Sequence, residues 1–518
     1  MKRIRLFCMI AMLFICTNLK ANNIVINNIT SVTGSGFVQL QFDLSWDNSW
    51  NNAINRDAAW VFFKFKDNDG TWRHLNLTNA NNSITGGYTI QVPTDLTGAF
   101  IYRNSGSGTV TLTGVQVGVT NLPGSFDIKG FAIEMVRLPM DVPYYLGDGG
   151  SGSSYQTSTS ATTPYLVNTN TITMGSTAGL LNDVIGNGTL ATGFPIGYNT
   201  GGASLNLYMM KHEISQAAYR DFLNTLTYTQ QASRTAVAPN FGVNQMVFQG
   251  GINTVRRNGI KIVTNGVSTT TPAVYGCDFN NNSIYNETGD GEWIACNYLT
   301  YMDVAAFLDW AAMRPMTELE FEKSCRGSLT PINGENAAGT TAVVAGPAWT
   351  VNNSGATNET VSYTGSVYNA NITWNAVSPG SNSPLRVGIH ATAYATRISA
   401  GAGYYGCLDL SGNVSDIAVT TGSVAGRSFT GISGDGTLNA AGDADEDFWP
   451  GINGNTTTTA ANTAYAGTTG VTGAAGYVTR GASCGTGNTV FLAISYRITG
   501  GGTSTRSGAD GGRGVKSF

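Results

Sequence analysis

The sequence is short of ionisable side chains. Only 12% of its 518 residues are Asp, Glu, Lys or Arg, about half the share of an average soluble protein. The net charge at pH 7 is −4, so the chain lacks the positive field that attracts nucleic acid or an anionic membrane. Three histidines, with no H-x-x-x-H-x-E or H-E-x-x-H spacing, make a histidine-based metal site improbable. No G-x-S-x-G elbow or Walker loop occurs either, so the common hydrolase and nucleotide motifs are missing.

Cysteine is also scarce. The chain has 7 cysteines, and two of them, Cys8 and Cys16, lie in the N-terminal leader. The odd number that remains implies at least one free thiol or an intermolecular bridge. Cys277 and Cys296 flank one Asn- and Gly-rich loop, and we predict a disulfide between them.

Long hydrophobic runs are missing after the N-terminus, so no membrane span is expected. Residues 1–5 are basic, residues 6–16 form an apolar run too short to cross a bilayer, and Ala21 provides a small residue for cleavage. We therefore predict a signal peptide over residues 1–21 and an exported chain, extracellular, periplasmic or at the cell surface. A lipoprotein signal at Cys16 is the alternative, although the bulky Ile15 stands where a small residue is needed.

Alternating apolar residues are abundant in the first part of the chain. One side of a predicted strand carries Val38, Leu40, Phe42, Leu44 and Trp46. Short alternating runs separated by turn residues, without a helical stretch, indicate an antiparallel β-sandwich over residues 22–130. We interpret the tryptophans in these strands, Trp46 and Trp60, as core residues. Exposed aromatic rings that stack on carbohydrate are the alternative.

Three helices are predicted further along. Ser215 is a candidate N-cap for a helix with an apolar stripe of Tyr219, Phe222, Leu223 and Leu226. A second helix is expected over residues 302–313. A third begins at Thr317, where Glu320 completes a capping box. These helices lie among many short strands and long loops.

Three short motifs follow one another in this second part. They are RPMTE at residues 314–318, GNVSD at 412–416 and RGAS at 480–483. In sequence and order they resemble the R-L-P-T-E-A-E-W-E, G-N-x-W-E and R-G-G-S-x-x-C-x-x-x-x-C patterns of the formylglycine-generating enzyme, or sulfatase-modifying factor, family. The resemblance covers roughly residues 131–518. It implies the C-type-lectin-like fold of that family, and the expected architecture is an α+β, C-type-lectin-like domain after the β-sandwich.

The resemblance also implies that the family's chemistry is lost. Oxidases of this family hold copper(I) with two thiolates, one of which reacts with the substrate cysteine. Counting on from Ser483 without gaps, the two positions hold Thr486 and Phe491. A gap would place Cys484 on the first position, but no second cysteine follows it. We therefore expect a catalytically silent relative that binds no copper, with an atypical thiol oxidoreductase as the alternative.

Calcium is the expected cofactor at two loops. Family members hold a structural calcium with the G-N-x-W-E loop, which implies Asn413, a neighbouring carbonyl such as that of Val414, and Asp416 as ligands here. A second, EF-hand-like loop is independent of the resemblance and carries oxygen donors at positions 1, 3, 5 and 9: Asp278, Asn280, Asn282 and Asn286. Asp290 or Glu292 would have to supply its last carboxylate. Asn-rich turns without metal are the alternative.

The segment after residues 480–483 forms the exposed substrate groove in the family. Here it is polar and carries Phe491, Tyr496 and Arg506, which we predict to be the anchors of a binding face. The predicted function is binding of a protein or glycan partner, or surface assembly. Retroelement-diversified binding proteins use the same scaffold and vary the same region, so that alternative stays open, as do an envelope component and an ordinary solvated loop.

Overall fold

The computed structural model describes most of the chain after the leader. The described residues are 23–34, 37–120, 127–150, 154–157, 162–168, 172–182, 206–248, 256–344, 349–363, 369–374, 383–391, 395–446, 449–451, 476–497 and 506–517. The predicted signal peptide, residues 1–21, lies outside them.

The described residues form many short β-strands, numbered here in chain order. The strands of the first half are β1 (Val25–Gly34), β2 (Phe37–Asn51), β3 (Asp57–Lys66), β4 (Trp72–Leu75), β5 (Tyr88–Gln91), β6 (Ala99–Arg103), β7 (Gly106–Val119), β8 (Ile128–Pro139), β9 (Tyr144–Leu146), β10 (Gln156–Thr157), β11 (Tyr165–Val167), β12 (Leu181–Asn182) and β13 (Asn206–Met210). The strands of the second half are β14 (Ile260–Thr264), β15 (Val274–Cys277), β16 (Arg314–Thr317), β17 (Trp349–Asn352), β18 (Thr360–Tyr363), β19 (Asp416–Val419), β20 (Tyr477–Arg480) and β21 (Gly514–Ser517).

The helices are few and short. They are α1 (Gln216–Leu223), α2 (Tyr228–Arg234), α3 (Tyr301–Trp310), α4 (Glu318–Arg326) and α5 (Val424–Arg427), with a 3₁₀ helix over Thr489–Leu492. None of the helices within the described ranges is both long enough and apolar enough to cross a bilayer.

The predicted α+β class is wrong, because strands make up 35% of the structure and helices only 11%. The three predicted helices do form, and Ser215 and Thr317 cap two of them as expected. Each of the three has ten residues or fewer, however. The periodic stripes located helices correctly but did not show how much of the remaining chain pairs into sheets, since those pairings join distant segments.

One ten-stranded sheet organises the molecule. Its strand order is β20-β19-β16-β21-β13-β8-β3-β6-β5, with β4 paired to β3. The β16–β19 pair is parallel, whereas β8 pairs antiparallel with β3 on one side and β13 on the other. Because β8 begins at Ile128, the sheet continues across residue 130, where the sequence suggested a domain boundary.

The central strand β3 is buried on both faces. On one face Ala59, Val61 and Phe63 pack in a core with Leu40, Phe42, Leu44 and Trp46 of β2, whose sheet, β1-β2-β7, forms the second layer of a sandwich. On the other face Ala58, Trp60 and Phe62 join a larger core that includes α1 and α3. Trp46 and Trp60 are both fully buried, which confirms that they are core residues.

The apolar stripe of α1 lies in the larger core. Tyr219, Phe222 and Leu223 are fully buried, and the Phe222 ring contacts the rings of Tyr219, Phe307 and Trp310. This aromatic cluster joins α1 to α3, beneath the ten-stranded sheet.

Replacing Phe222 by alanine should therefore destabilise the whole molecule. We expect Phe222→Ala to lower the free energy of unfolding in urea by about 3–5 kcal/mol, because it leaves a cavity among closely packed rings. Val267→Ala, at a position 59% exposed, is the control and should change stability by less than about 0.5 kcal/mol. Equal effects of the two substitutions would mean that the α1 stripe is not part of the core.

Candidate functional site

The candidate site is built on a helix whose charged residues are buried. Helix α4 begins after Thr317, whose hydroxyl caps it and whose backbone N–H donates to the carboxylate of Glu320. All nine of its residues are buried, including Glu318, Glu322 and Arg326. Buried charges are tolerated only when they are paired, so the partners of these side chains must come from elsewhere in the fold.

Glu318 pairs with two arginines, one at each end of a single distant segment. Its Oε1 lies 2.9 Å from Arg480 Nη1, and its Oε2 lies 2.6 Å from Arg497 Nη2. Burial by itself would raise the pKa of Glu318, but Arg497 and Arg480 outweigh it and lower the pKa to about 2. Tyr155 and Thr420 donate their hydroxyls to the same carboxylate. Glu318 is therefore ionised over the whole physiological pH range.

The pairing continues along the helix. Glu322 Oε1 lies 2.9 Å from the second terminal nitrogen of Arg480, and Glu322 Oε2 lies 3.3 Å from Arg326 Nη1. Arg326 also pairs with Glu335, with Nε at 2.5 Å from Oε1. Alternating charges thus tie α4 to the segment that follows β20.

Between Arg480 and Arg497 the chain surrounds a small open pocket of about 170 Å³. The residues that line it are Ser415, Thr479, Gly481, Ala482, Thr486, Phe491 and Tyr496. The Phe491 side chain is 39% exposed, and its ring centroid lies 4.8 Å from that of Tyr496. We call this surface the aromatic pocket. It brings together three residues singled out from the sequence: Thr486, Phe491 and Tyr496.

Two of the positions that the resemblance aligns with the family's active site, Thr486 and Phe491, line this pocket. Cys484 is fully buried, and burial raises the pKa of its thiol to about 12, with a smaller contribution from Glu213. Ser483 and Thr486 are hydrogen-bonded to each other: the Ser483 backbone N–H donates to the Thr486 hydroxyl at 3.0 Å. Because the thiolate is the reactive form of cysteine, burial disfavours a reaction at Cys484.

Arg506 does not lie on this surface, contrary to the sequence-based expectation. Its guanidinium is paired with Asp303, with Nη2 at 3.1 Å from Oδ1, and it also donates to the carbonyl of Tyr298. The side chain is only 15% exposed and lies over the Phe248 ring. Arg506 therefore stabilises the start of α3, where Asp303 completes the capping box.

The loop predicted to hold calcium through residues 413–416 is organised by protein groups. Asn413 Nδ2 and the Val414 N–H donate to the two oxygens of Glu213, at 2.6 and 3.0 Å. Both oxygens of Asp416 accept from Arg513 Nε, at 2.9 and 3.0 Å. An arginine therefore supplies the positive charge that a metal would supply to Asp416.

A lysine has the same role in the EF-hand-like loop. Lys261 Nζ lies 2.8 Å from Asp278 Oδ2 and 2.6 Å from the side-chain oxygen of Asn281. The other oxygen of Asp278 accepts from the backbone N–H of Asn282, at 3.0 Å. Asn280 also accepts from that N–H, at 3.1 Å. These bonds are those of an Asn-rich turn closed around an ammonium group.

The remaining residues of the loop have separate partners. The side-chain oxygen of Asn286 accepts from the backbone N–H of Cys277, at 2.9 Å. Asp290 Oδ2 accepts from the Glu287 N–H at 2.8 Å, while its Oδ1 is buried without a partner. The predicted calcium ligands of this loop thus already accept hydrogen bonds from protein donors, with Asp290 Oδ1 as the exception.

The predicted disulfide is not formed, because Cys277 and Cys296 are both free, buried thiols. Burial raises the pKa of Cys277 to about 12 and that of Cys296 well above its usual value. Cys296 Sγ lies instead within 3.8 Å of the Asn297 carbonyl. A disulfide requires two cysteine side chains that point towards each other, and a position on either side of a loop does not ensure this.

Comparison with known proteins adds nothing to these observations: no protein-family model matches the chain, and no curated protein matches it. The resemblance to the formylglycine-generating enzyme family therefore stays a prediction that rests on its three motifs. Those motifs contain Glu318 and Arg480. Arg497 lies in no motif, and its role could only be found from the contact itself.

The ion pairs of Glu318 predict an acid-sensitive fold. The folded pKa of about 2 lies below the usual 4.5, so the stabilisation is complete above pH 4.5 and is lost as the pH falls towards 2. A shift of this size corresponds to about 3 kcal/mol. Glu318→Gln should lower stability at pH 7 by at least that amount and flatten the pH dependence of urea unfolding below pH 4.5. Asp127→Asn, an exposed control, should leave both unchanged. A Glu318→Gln curve parallel to that of the native chain would contradict the assignment.

Proposed function

We propose that this chain is an exported binding protein that engages a protein or glycan partner at the cell surface through the aromatic pocket. The observation that carries the proposal is the exposed Phe491 ring beside Tyr496, on a segment anchored at both ends to one buried glutamate. Exposed aromatic rings of this kind dominate binding energies at protein surfaces.

The anchoring favours binding because it orders the pocket before a partner arrives. Arg480 and Arg497 are fully buried and paired with Glu318, so the segment between them is fixed at its two ends. A binding surface that is ordered in advance loses less conformational entropy on association. The aromatic pocket therefore needs little rearrangement to receive a ligand.

The lining of the pocket indicates the kind of ligand. Its side chains are hydroxyls, from Ser415, Thr479, Thr486 and Tyr496, beside the apolar Phe491 ring. Hydroxyls donate and accept hydrogen bonds, and an aromatic face packs against apolar C–H groups. The pocket suits one side chain of a protein or one sugar ring, and it carries no charge that would select an ionic ligand.

Catalysis of cysteine oxidation is the weaker alternative. No cysteine, carboxylate or histidine is among the described residues that line the pocket. The nearby Cys484 is buried with a pKa of about 12. A silent site explains the substitutions at Thr486 and Phe491, since neither can form a thiolate.

The binding proposal is tested by truncating the two rings. Against a glycan array and a displayed peptide library, Phe491→Ala and Tyr496→Ala should weaken recognition of each ligand found by at least about tenfold, since each removes an anchor ring. Val490→Ala is the matched control, because Val490 is 57% exposed but does not line the pocket. Thermal unfolding of all three variants should match that of the native chain.

Arg506→Ala separates binding from folding. It should lower the melting temperature, because it leaves the buried carboxylate of Asp303 short of a partner, and it should not alter recognition by the folded protein. Ligands that bind equally well to Phe491→Ala and Tyr496→Ala would place the binding surface elsewhere.

The absence of chemistry has its own test. Incubated with copper(I), oxygen and a peptide containing C-x-P-x-R, the purified chain should leave the peptide cysteine unchanged in mass. Turnover that disappears in Cys484→Ser would show an atypical oxidoreductase and would overturn the silent-site proposal.

A further inference from the structure

Three carboxylates meet where the end of helix α3 contacts the loop of residues 434–446. Asp309, Asp435 and Glu446 each place one oxygen within 4.8 Å of the others. Asp309 is buried, Glu446 is half-buried and Asp435 is exposed. The group is thus closed on the protein side and open to solvent on the other.

Asp309 is in an unfavourable position for a carboxylate. It is fully buried, and its Oδ1 has no hydrogen-bond partner. It also lies in the last turn of α3, where the helix dipole is negative and where no basic residue is present. A buried carboxylate oxygen without a hydrogen-bond partner is unfavourable, and a bound cation would pair with it.

Lys64 attracts Asp309 and Asp435 electrostatically, but its ammonium group bonds directly to other atoms. Lys64 Nζ lies 2.9 Å from His74 Nδ1, and it donates to the carbonyls of Trp310 and Gly436, at 2.7 and 2.5 Å. Two of these partners are backbone carbonyls. The third, His74, is neutral because burial keeps its pKa well below the usual value. Within the described part of the chain, no ion pair joins a lysine or arginine to Asp309 or Asp435.

The backbone leaves room beside the unpartnered oxygen, Asp309 Oδ1. Gly434 lies beside it, and a Cβ at that position would be 2.5 Å from Asp309 Oδ1. A glycine there therefore keeps the oxygen free of side-chain atoms. The Gly434 N–H donates to the Met313 carbonyl at 2.7 Å, which holds the loop against the end of the helix.

We propose that Asp309, Asp435 and Glu446 form a binding site for calcium. An all-oxygen, all-carboxylate set selects a hard divalent cation. Calcium accepts irregular coordination and completes its shell with water on an exposed side, whereas magnesium requires a near-ideal octahedron. The site differs from both loops predicted from the sequence, where Lys261 pairs with Asp278 and Arg513 pairs with Asp416.

Calcium at this position would have a structural role. The loop of residues 434–446 is tied to α3 by the Asp445 N–H, which donates to Asp309 Oδ2 at 3.2 Å, and to β3 by Lys64. A cation shared by one helix residue and two loop residues strengthens the same connection. It also neutralises the carboxylate at the end of the helix.

The test is calcium and magnesium titration of the metal-stripped, full-length chain by calorimetry, with thermal unfolding in parallel. We expect one calcium site and a melting temperature that rises with calcium, because a ligand bound only by the folded state stabilises it. Asp435→Asn, on the exposed side and harmless to the core, should weaken calcium binding by at least about tenfold. Asp69→Asn, another exposed loop aspartate, is the matched control and should bind calcium as the native chain does.

Asp309→Asn provides a readout that a merely structural carboxylate would not give. Without metal it should be at least as stable as the native chain, because it removes a buried charge, and calcium should no longer raise its melting temperature. No binding at millimolar calcium or magnesium would overturn the proposal, and tighter magnesium binding would overturn the choice of calcium. Binding that survives Asp309→Asn and Asp435→Asn but is lost in Asp278→Asn would place the cation in the EF-hand-like loop instead.

Discussion

The buried carboxylate of Glu318 is the constraint on which the candidate site depends. Transferring its charge from water to the interior is costly, and two arginines are needed to offset that cost. Arg480 ends strand β20 and Arg497 follows the pocket segment, so one side chain joins helix α4, a sheet edge and the aromatic pocket. Each arginine holds one end of the segment that carries Phe491 and Tyr496 to the same carboxylate.

The ten-stranded sheet connects this arrangement to the rest of the fold. Strand β3 belongs to both cores, because its alternate side chains face the sandwich layer and the helices. Contacts over long sequence distances cross it: Trp60 Nε1 donates to the Ala311 carbonyl at 2.9 Å, and Asn55 Nδ2 donates to the Tyr405 carbonyl at 2.6 Å. The N-terminal layer and the site-bearing part therefore share one sheet.

The low charge content has a structural counterpart. Many of the few charged residues are buried in pairs, as in Arg257–Glu359, Lys261–Asp278 and Arg513–Asp416. Two of these pairs occupy the loops in which the sequence indicated calcium. A lysine or arginine from a distant segment can neutralise an acidic loop as a metal does, and the residues of the loop alone do not distinguish the two. The carboxylates around Asp309 are different, since no such direct pair reaches Asp309 or Asp435 among the described residues.

The local features of the fold could be predicted from the sequence. The caps at Ser215 and Thr317, the buried face of β2 and the buried stripe of α1 follow from patterns a few residues long, because capping and alternation act between chain neighbours. The β-dominated class, the free thiol of Cys277 and the pairing of Arg506 with Asp303 depend instead on long-range packing. It also decided the pairing of Arg497 with Glu318 and the meeting of Asp309 with Asp435. Each of these depends on which distant segments pack together, and burial then decides which charges must be paired.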